Sequence, residues 1–215
     1  MSDGTHPLAV VLAQVARLAS GVTTRWIDCQ PEERQRIYFA NHTSHLDALV
    51  VWSSLPGHVR RWVRPVAAAD YWNQSRLRRY LASNVFRAAL VERGENVANA
   101  PGQRMAQART LIERLLEQMG DRYSLIIFPE GTRGSGESVA SFKSGMYYLC
   151  REKPDLELVP AFIANLNRVL PKGEVLMVPV LCSLTFGPPL QIRPGEGKND
   201  FLARAHDALC QLRPQ

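Results

Sequence analysis

The sequence predicts an α/β fold: a largely parallel mixed sheet flanked by helices, preceded by an N-terminal amphipathic helix. Three observations lead there. Short runs rich in apolar, aromatic and β-branched residues, such as Ile37-Tyr38-Phe39-Ala40 and Leu156 to Ile163, alternate with segments of helical periodicity, the pattern of strands joined by crossover helices. The run from Ser124 to Phe128 is continuous rather than alternating, which suits a strand buried on both faces. Polar clusters follow the ends of these runs, and parallel sheets collect ligands beyond the carboxyl ends of their strands.

Taken in order, Pro7 to Val22 carries Leu8, Val11, Leu12, Val15, Leu18 and Ala19 at helical spacing and is interrupted by Gln14 and Arg17. It reads as an amphipathic helix that either packs on the body of the protein or lies in a membrane interface. It falls short of the roughly 18 uninterrupted apolar residues of a spanning helix and lacks the basic leader and cleavage pattern of a signal peptide. Residues 1–30 are therefore set apart as an N-terminal amphipathic segment, open to either packing or membrane association, and residues 31–215 as one domain. Cys29 to Arg36 is a polar turn. The first strand, Ile37 to Ala40, is followed by a helix to about Ser54, stopped by Pro56-Gly57. Trp62 to Ala68 reads as strand, Tyr71 to Ala82 as a basic helix, and Arg87 to Arg93 as a short strand. Gly94 to Gly102 is a polar loop. Gln103 to Met119 is the clearest helix, with Met105, Ala108, Leu111, Ile112, Leu115, Leu116 and Met119 on one face and Gly120 at its end. After the strand at 124–128, Lys143 to Arg151 reads as helix, Leu156 to Ile163 as strand, Glu174 to Phe186 as one or two strands, and Asn199 to Leu212 as a closing helix.

An apolar fraction of 46% over 215 residues is that of a globular chain with a full core. Four cysteines are scattered without a Cys-x-x-Cys pair, which argues against a zinc site or disulfide framework and fits a reducing compartment. The net charge of +6 is uneven: Gly57 to Tyr80 holds six arginines against one acid, Asp70, interleaved with Trp62, Tyr71, Trp72 and Tyr80. Such a segment suits an anionic membrane surface or a nucleic acid, or is a solvated basic face.

The chemistry centres on Asn41-His42-Thr43-Ser44-His45-Leu46-Asp47. Within a regular helix, residues five apart would point about 140° from each other. His42 must therefore lie before the helix, at the strand-to-helix turn, with Ser44 available as cap and Asp47 on the first helical turn folding back. Asp47 then accepts a hydrogen bond from one imidazole nitrogen and leaves the other to take a proton from a hydroxyl. The result is a general-base dyad without a protein nucleophile. A structural His-Asp pair is the plain alternative. A metal site on His42, His45 and Asp47 would lack a third histidine, since His6, His58 and His206 have no ligand-like spacing to it. A serine hydrolase would need a Gly-x-Ser-x-Gly turn, which the chain does not contain.

A second cluster, Glu130-Gly131-Thr132-Arg133, follows the strand at 124–128. It offers a carboxylate, a glycine open to close approach, a hydroxyl and a guanidinium able to bind phosphate bidentately; read plainly it is a turn with a local ion pair. Arg93 beside Glu92, and Lys143 after the Gly- and Ser-rich loop 134–141, either face an anion or are simply solvated.

Asn41-His42-x-x-x-x-Asp47 followed by Phe128-Pro129-Glu130-Gly131-Thr132-Arg133 resembles the glycerolipid acyltransferase family of bacterial 1-acylglycerol-3-phosphate O-acyltransferase type. Leu90-Val91-Glu92-Arg93, Phe142-Lys143-Ser144-Gly145, Val159-Pro160 and Phe186-Gly187-x-Pro189 extend the resemblance over roughly Ile37 to Ile192. The resemblance implies that His42, oriented by Asp47, deprotonates the acceptor hydroxyl, which attacks an acyl thioester. It also implies that Arg93, Glu130, Gly131, Thr132, Arg133 and Lys143 bind the substrate. The implied acceptor is a lysophospholipid, first lysophosphatidic acid, with another lysolipid such as a lyso-ornithine lipid as the alternative. The implied donor is acyl-CoA or acyl-carrier protein. No metal, cofactor, covalent acyl-enzyme or nucleic-acid partner is expected. The second block departs from the family, with Ala88-Ala89 where a glycine and a bulky aromatic are usual. The expected location is peripheral, at the cytoplasmic face of the inner membrane, through residues 7–22 and the basic aromatic segment. A catalytically silent lipid-binding module is the alternative of another class.

Overall fold

The computed structural model describes residues 7–72, 74–91, 101–166 and 182–214. Among the described residues seven strands form one sheet: β1 (Thr23–Trp26), β2 (Arg36–Ala40), β3 (Val63–Ala68), β4 (Ala89–Val91), β5 (Ser124–Ile127), β6 (Glu157–Ala164) and β7 (Ser183–Phe186). Their order is β1-β7-β6-β2-β5-β3-β4. Every neighbouring pair is parallel except β6 and β7, which run antiparallel. The mostly parallel α/β sheet read from the sequence is thus the observed architecture. β1 was not foreseen. It lies within the 1–30 segment, yet pairs with β7 from Thr23↔Ser183 to Trp26↔Phe186 and is an integral strand of the sheet.

The sheet is covered on both faces, and the strands show why. Side chains alternate along a strand, so Tyr38 and Ala40 of β2 join one core while Ile37 and Phe39 join the other. The first core also takes Val159, Ala161 and Ile163 of β6 and is closed by helices α1 (Pro7–Ser20) and α2 (Asp47–Ser54). The second takes Leu158 and Phe162 and is closed by α3 (Pro101–Met119), α4 (Gly145–Glu152) and α5 (Lys198–Cys210). The expected stripe on α3 is the one that packs, with Ile112, Leu115 and Met119 buried. Gly120 ends that helix in the left-handed region, at φ +49°. The strand expected at 174–186 is described only at Ser183–Phe186, because residues 167–181 lie outside the described residues.

Three expectations change. The helix α1 packs on the body through its small residues, Ala9, Ala13, Ala16 and Ser20, against α2. Leu8 and Leu12 flank that contact. Val11, Val15 and Leu18, expected with them, face outward, at 56%, 54% and 82% exposure. The helix is apolar nearly all round, and the alanine side permits the closest approach of backbones and so the densest packing. Second, Tyr71 to Ala82 is not one helix. It is divided into the short turns Ala69–Trp72 and Arg76–Tyr80 and a π-helical turn, Leu81–Val85, in which Phe86 N–H donates to Leu81 C=O at 2.9 Å. Gln74 and Ser75 lie in the break before Arg76, polar side chains that compete with helical backbone bonding.

Third, half of the arginine patch is structural. Arg60 is buried, and its Nη1 donates to the C=O of Ser53 and Leu55 at the end of α2, with the guanidinium over Trp52. Arg64 donates to Gln118 C=O near the end of α3 and lies 3.4 Å from the Tyr123 ring centroid. Arg61 pairs with Glu33, and Trp62 is covered by the Arg122 guanidinium. Cations at helix C-termini satisfy orphan carbonyls and oppose the helix dipole. Arg76 and Arg79 stay exposed on the outer turn.

At the amino edge of the sheet, Arg36 donates through Nε to Glu157 at 2.8 Å and Arg34 through Nη1 to its other oxygen at 2.6 Å. Burial works against ionisation of Glu157, but the hydrogen bonds from Arg36 and Arg34 prevail and hold its carboxyl below the usual glutamate range. A depressed folded pKa contributes stability that is present above the unfolded value, about 4.3, and is lost as pH falls through the folded one. Urea midpoints measured from neutral pH downward should therefore fall in that acidic window. In Glu157→Gln the midpoint should be lower at neutral pH and less dependent on acid; equal pH profiles for the two proteins would remove Glu157 from the acid response.

Candidate active site

β2 and β5 are parallel neighbours, so their carboxyl ends deliver His42 and Glu130 to one edge of the sheet. Asn41 first ends β2. Its side chain is buried, donating to Ile163 C=O at 2.9 Å and accepting from Ile163 N–H at 2.8 Å. This side chain takes the place of a ladder residue and lets the backbone turn away from the sheet.

In the turn that follows, His42 Nδ1 lies 2.7 Å from Asp47 Oδ2, and the same oxygen accepts Thr43 N–H at 2.6 Å and Ser44 N–H at 2.8 Å. Asp47 is fully buried at the first position of α2, and its Oδ1 has no hydrogen bond among the described residues. The turn carrying His42 thus supplies the carboxylate's polar support. Since a carboxylate only accepts, Nδ1 carries the imidazole proton and the lone pair sits on Nε2. Among the described residues Nε2 has no hydrogen bond. The ring is 22% exposed and is stacked on Phe128, with centroids 4.3 Å apart. Ser44 does not cap α2 as its place in the sequence suggested. Its Oγ accepts Leu46 N–H within the turn, and the N-cap residue is Leu46. The Asp47 carboxylate already bonds the turn's N–H groups, so the hydroxyl is left a local role.

The second cluster divides in two. Glu130, expected at the substrate, is 3% exposed: Oε1 accepts His42 N–H at 2.7 Å and Oε2 accepts Ala140 N–H at 2.9 Å. Each oxygen accepts one backbone N–H, so Glu130 holds the dyad turn and the following loop together. Gly134 N–H donates to His42 C=O at 2.8 Å and completes the tie. Gly131, Thr132 and Arg133 lie on the exposed rim, and the Arg133 guanidinium has no ion pair or hydrogen bond among the described residues. Gly131 has φ +75°, and a Cβ there would meet Lys143 Cγ at 3.3 Å. The close approach expected of this glycine is that of the Lys143 stem, which brings the exposed Lys143 beside the rim. Arg93 lies outside the described residues; β4 ends at Val91 on the same edge, with β3 between it and β5.

Sequence reasoning missed the roles of Phe128, Asn41 and the Ala140 N–H. The first two open the motifs themselves, but nothing local signals that Phe128 stacks on His42 and Asn41 splices two strands. Among the described residues no three His, Cys, Asp or Glu side chains group as metal ligands would.

A mostly parallel sheet thus brings a histidine paired with a buried carboxylate to its carboxyl edge, beside an exposed rim that carries Arg133. The family model described as Acyltransferase matches residues 22–182, and the chain belongs to that family. Among curated proteins it is similar to the 1-acyl-sn-glycerol-3-phosphate acyltransferases of Limnanthes alba and Limnanthes douglasii. They are 25% and 24% identical over 187 residues, covering 85% of this chain and 60% of each relative. The chain thus spans somewhat under two thirds of the length of these relatives. Its fold is shared with the crystal structure of the 1-acyl-sn-glycerophosphate (LPA) acyltransferase PlsC of Thermotoga maritima, at a TM-score of 0.70 and 16% identity, covering 97% of this chain and 81% of that one.

Proposed function

We propose that the chain transfers a fatty acyl group from an acyl thioester to the free hydroxyl of a lysophospholipid, with lysophosphatidic acid as first acceptor and phosphatidic acid as product. The observation that carries this reading is the His42–Asp47 pair with Nε2 unengaged beside the exposed Gly131-Thr132-Arg133 rim. Nε2 takes the acceptor's hydroxyl proton as the oxygen attacks the thioester carbon. The tetrahedral intermediate then collapses, the C–S bond breaks, and the imidazolium returns the proton to the departing thiolate. Asp47 fixes the tautomer and stabilises the imidazolium between the two steps. A thioester is already activated, so proximity and a base supply most of what is needed. The relatives' names support the acceptor, and the guanidinium of Arg133 suits its phosphate.

The test is transfer from labelled acyl-CoA and acyl-carrier protein to a panel of lysolipids, including lysophosphatidic acid and a lyso-ornithine lipid. Arg133→Ala should raise the lysophosphatidic acid KM about tenfold or more, the worth of a hydrogen bond to a charged group, and leave the donor KM unchanged. An unchanged acceptor KM would take Arg133 out of the phosphate site. Transfer to no acceptor would favour a silent lipid-binding module.

The same reading places the protein peripherally on a membrane, at the cytoplasmic face of the inner membrane. Among the described residues no helix is long and apolar enough to cross one. The outward ridge of Val10, Val11, Val15 and Leu18 supports docking, and α1 rests directly on α2, whose first residue is Asp47. Replacing Val11, Val15 and Leu18 together by Ser should weaken vesicle binding by at least about tenfold, as loss of large apolar side chains from a lipid interface requires. Sedimentation with anionic phospholipid vesicles measures it, and undiminished binding would remove α1 from the contact.

A further inference from the structure

Outside the dyad, the loop from Gly134 to Phe142 is tied at one point to the C-terminal helix α5 and at a second to Arg213 just beyond it. His206 Nε2 lies 3.1 Å from Val139 C=O, and Arg213 Nη1 donates to Glu137 C=O at 2.9 Å. A carbonyl only accepts, so His206 Nε2 carries a proton and donates. The Phe142 ring meets the His206 imidazole edge-on, with centroids 5.2 Å apart, and also packs edge-on against Phe39 of β2. Residue 140, next to the one His206 holds, gives its N–H to Glu130, and Glu130 takes the N–H of His42. One continuous series of contacts therefore runs from α5 through Val139, Ala140 and Glu130 to the backbone of His42. Gly134 to Ser138 are exposed and within the loop Val139 and Phe142 alone bury apolar surface, so its conformation depends on such outside ties.

We propose that His206, assisted by Arg213, is a positioning residue that latches the 134–142 loop so that Glu130 holds His42 in its working place. The proposal rests on the acyl-transfer reading above for its kinetic consequence but not for its structural one. A misplacement of about 1 Å at reacting groups can cost on the order of 100-fold in rate, so a slack latch acts on turnover. Phosphate capture at the rim does not require the latch, and the latch does not touch substrate.

The test uses the full chain with His206→Ala, His206→Gln and Arg213→Ala, read by amide hydrogen exchange and by steady-state kinetics. In His206→Ala, exchange at Ala140 and His42 N–H should rise by about fivefold or more, the equivalent of one net hydrogen bond, while the β6 amides keep their rates. Its kcat should fall about tenfold, within the range that small misplacement allows, with both KM values unchanged. His206→Gln, whose amide can still donate to Val139, should restore both readouts. Unchanged exchange at Ala140 and His42, or a glutamine variant as impaired as the alanine one, overturns the latch. Should His206→Ala fail to fold, Arg213→Ala reads the same amides from the second tie, and unaltered exchange there overturns the proposal equally. A wild type inactive on every lysolipid sinks the acyl-transfer reading alone, because the exchange measurements decide the latch without substrate.

Discussion

His42→Ala is expected to lower acyl transfer by about 100- to 10 000-fold, the range of a positioned general base, with the thermal midpoint shifted by only a few degrees. The ring is at the edge of the core, stacked on Phe128 and partly exposed. The fold's main supports at this point belong to the backbone: His42 N–H to Glu130, His42 C=O to Gly134 N–H, and Thr43 and Ser44 N–H to Asp47. An alanine keeps all of them. Turnover and melting measured on the same preparation make the test. A variant that retains activity would place the base elsewhere, and one that melts far earlier would make His42 a structural residue.

Glu130→Ala should damage both properties at once. Its removal leaves the N–H groups of His42 and Ala140 without acceptors in a site where Glu130 is 3% exposed. An unsatisfied buried donor costs about 1–3 kcal/mol, so a total loss of about 3 kcal/mol is expected. For a domain of this size that corresponds to a thermal midpoint about 10 °C lower. The rate should fall on the order of 100-fold, because the freed turn no longer fixes the imidazole. The competing role, direct contact with substrate, predicts a raised acceptor KM at unchanged melting. Melting curves and a kcat against KM comparison separate the two. Glu130→Gln should fall between, because its amide keeps one acceptor but turns a second donor toward a backbone N–H.

Much of this site is local and was therefore legible in the chain itself. The His42–Asp47 contact spans five residues, too far round a regular helix and close enough across a turn, so spacing alone put the imidazole ahead of α2. Strand placement followed from alternation, and each of β2, β5 and β6 lies within a residue or so of its apolar run. The parallel character followed from the intervening helices, and the glycine at 131 from its place in the turn after β5. Less local features misled. The Tyr71 to Ala82 segment was read from composition as one helix, and the arginines of Gly57 to Tyr80 as a surface patch, although Arg60 and Arg64 close the ends of α2 and α3.

What the tertiary structure alone decided is which partner each polar or apolar group found. The contact of His42 N–H with Glu130 joins residues 88 apart, Asn41 meets Ile163 across 122, and His206 meets Val139 across 67. No periodicity encodes such pairs, because they depend on which strands become neighbours in the sheet. For the same reason α1 could present either of two apolar faces, and the alanine face won because it alone brings the helix close to α2. The sequence by itself determined the α/β layering, the turn that carries His42 and the Gly131-Thr132-Arg133 cluster after β5. The packing decided that Glu130 accepts the N–H groups of His42 and Ala140 and so ties the turn to the loop, because the parallel strands β2 and β5 end side by side.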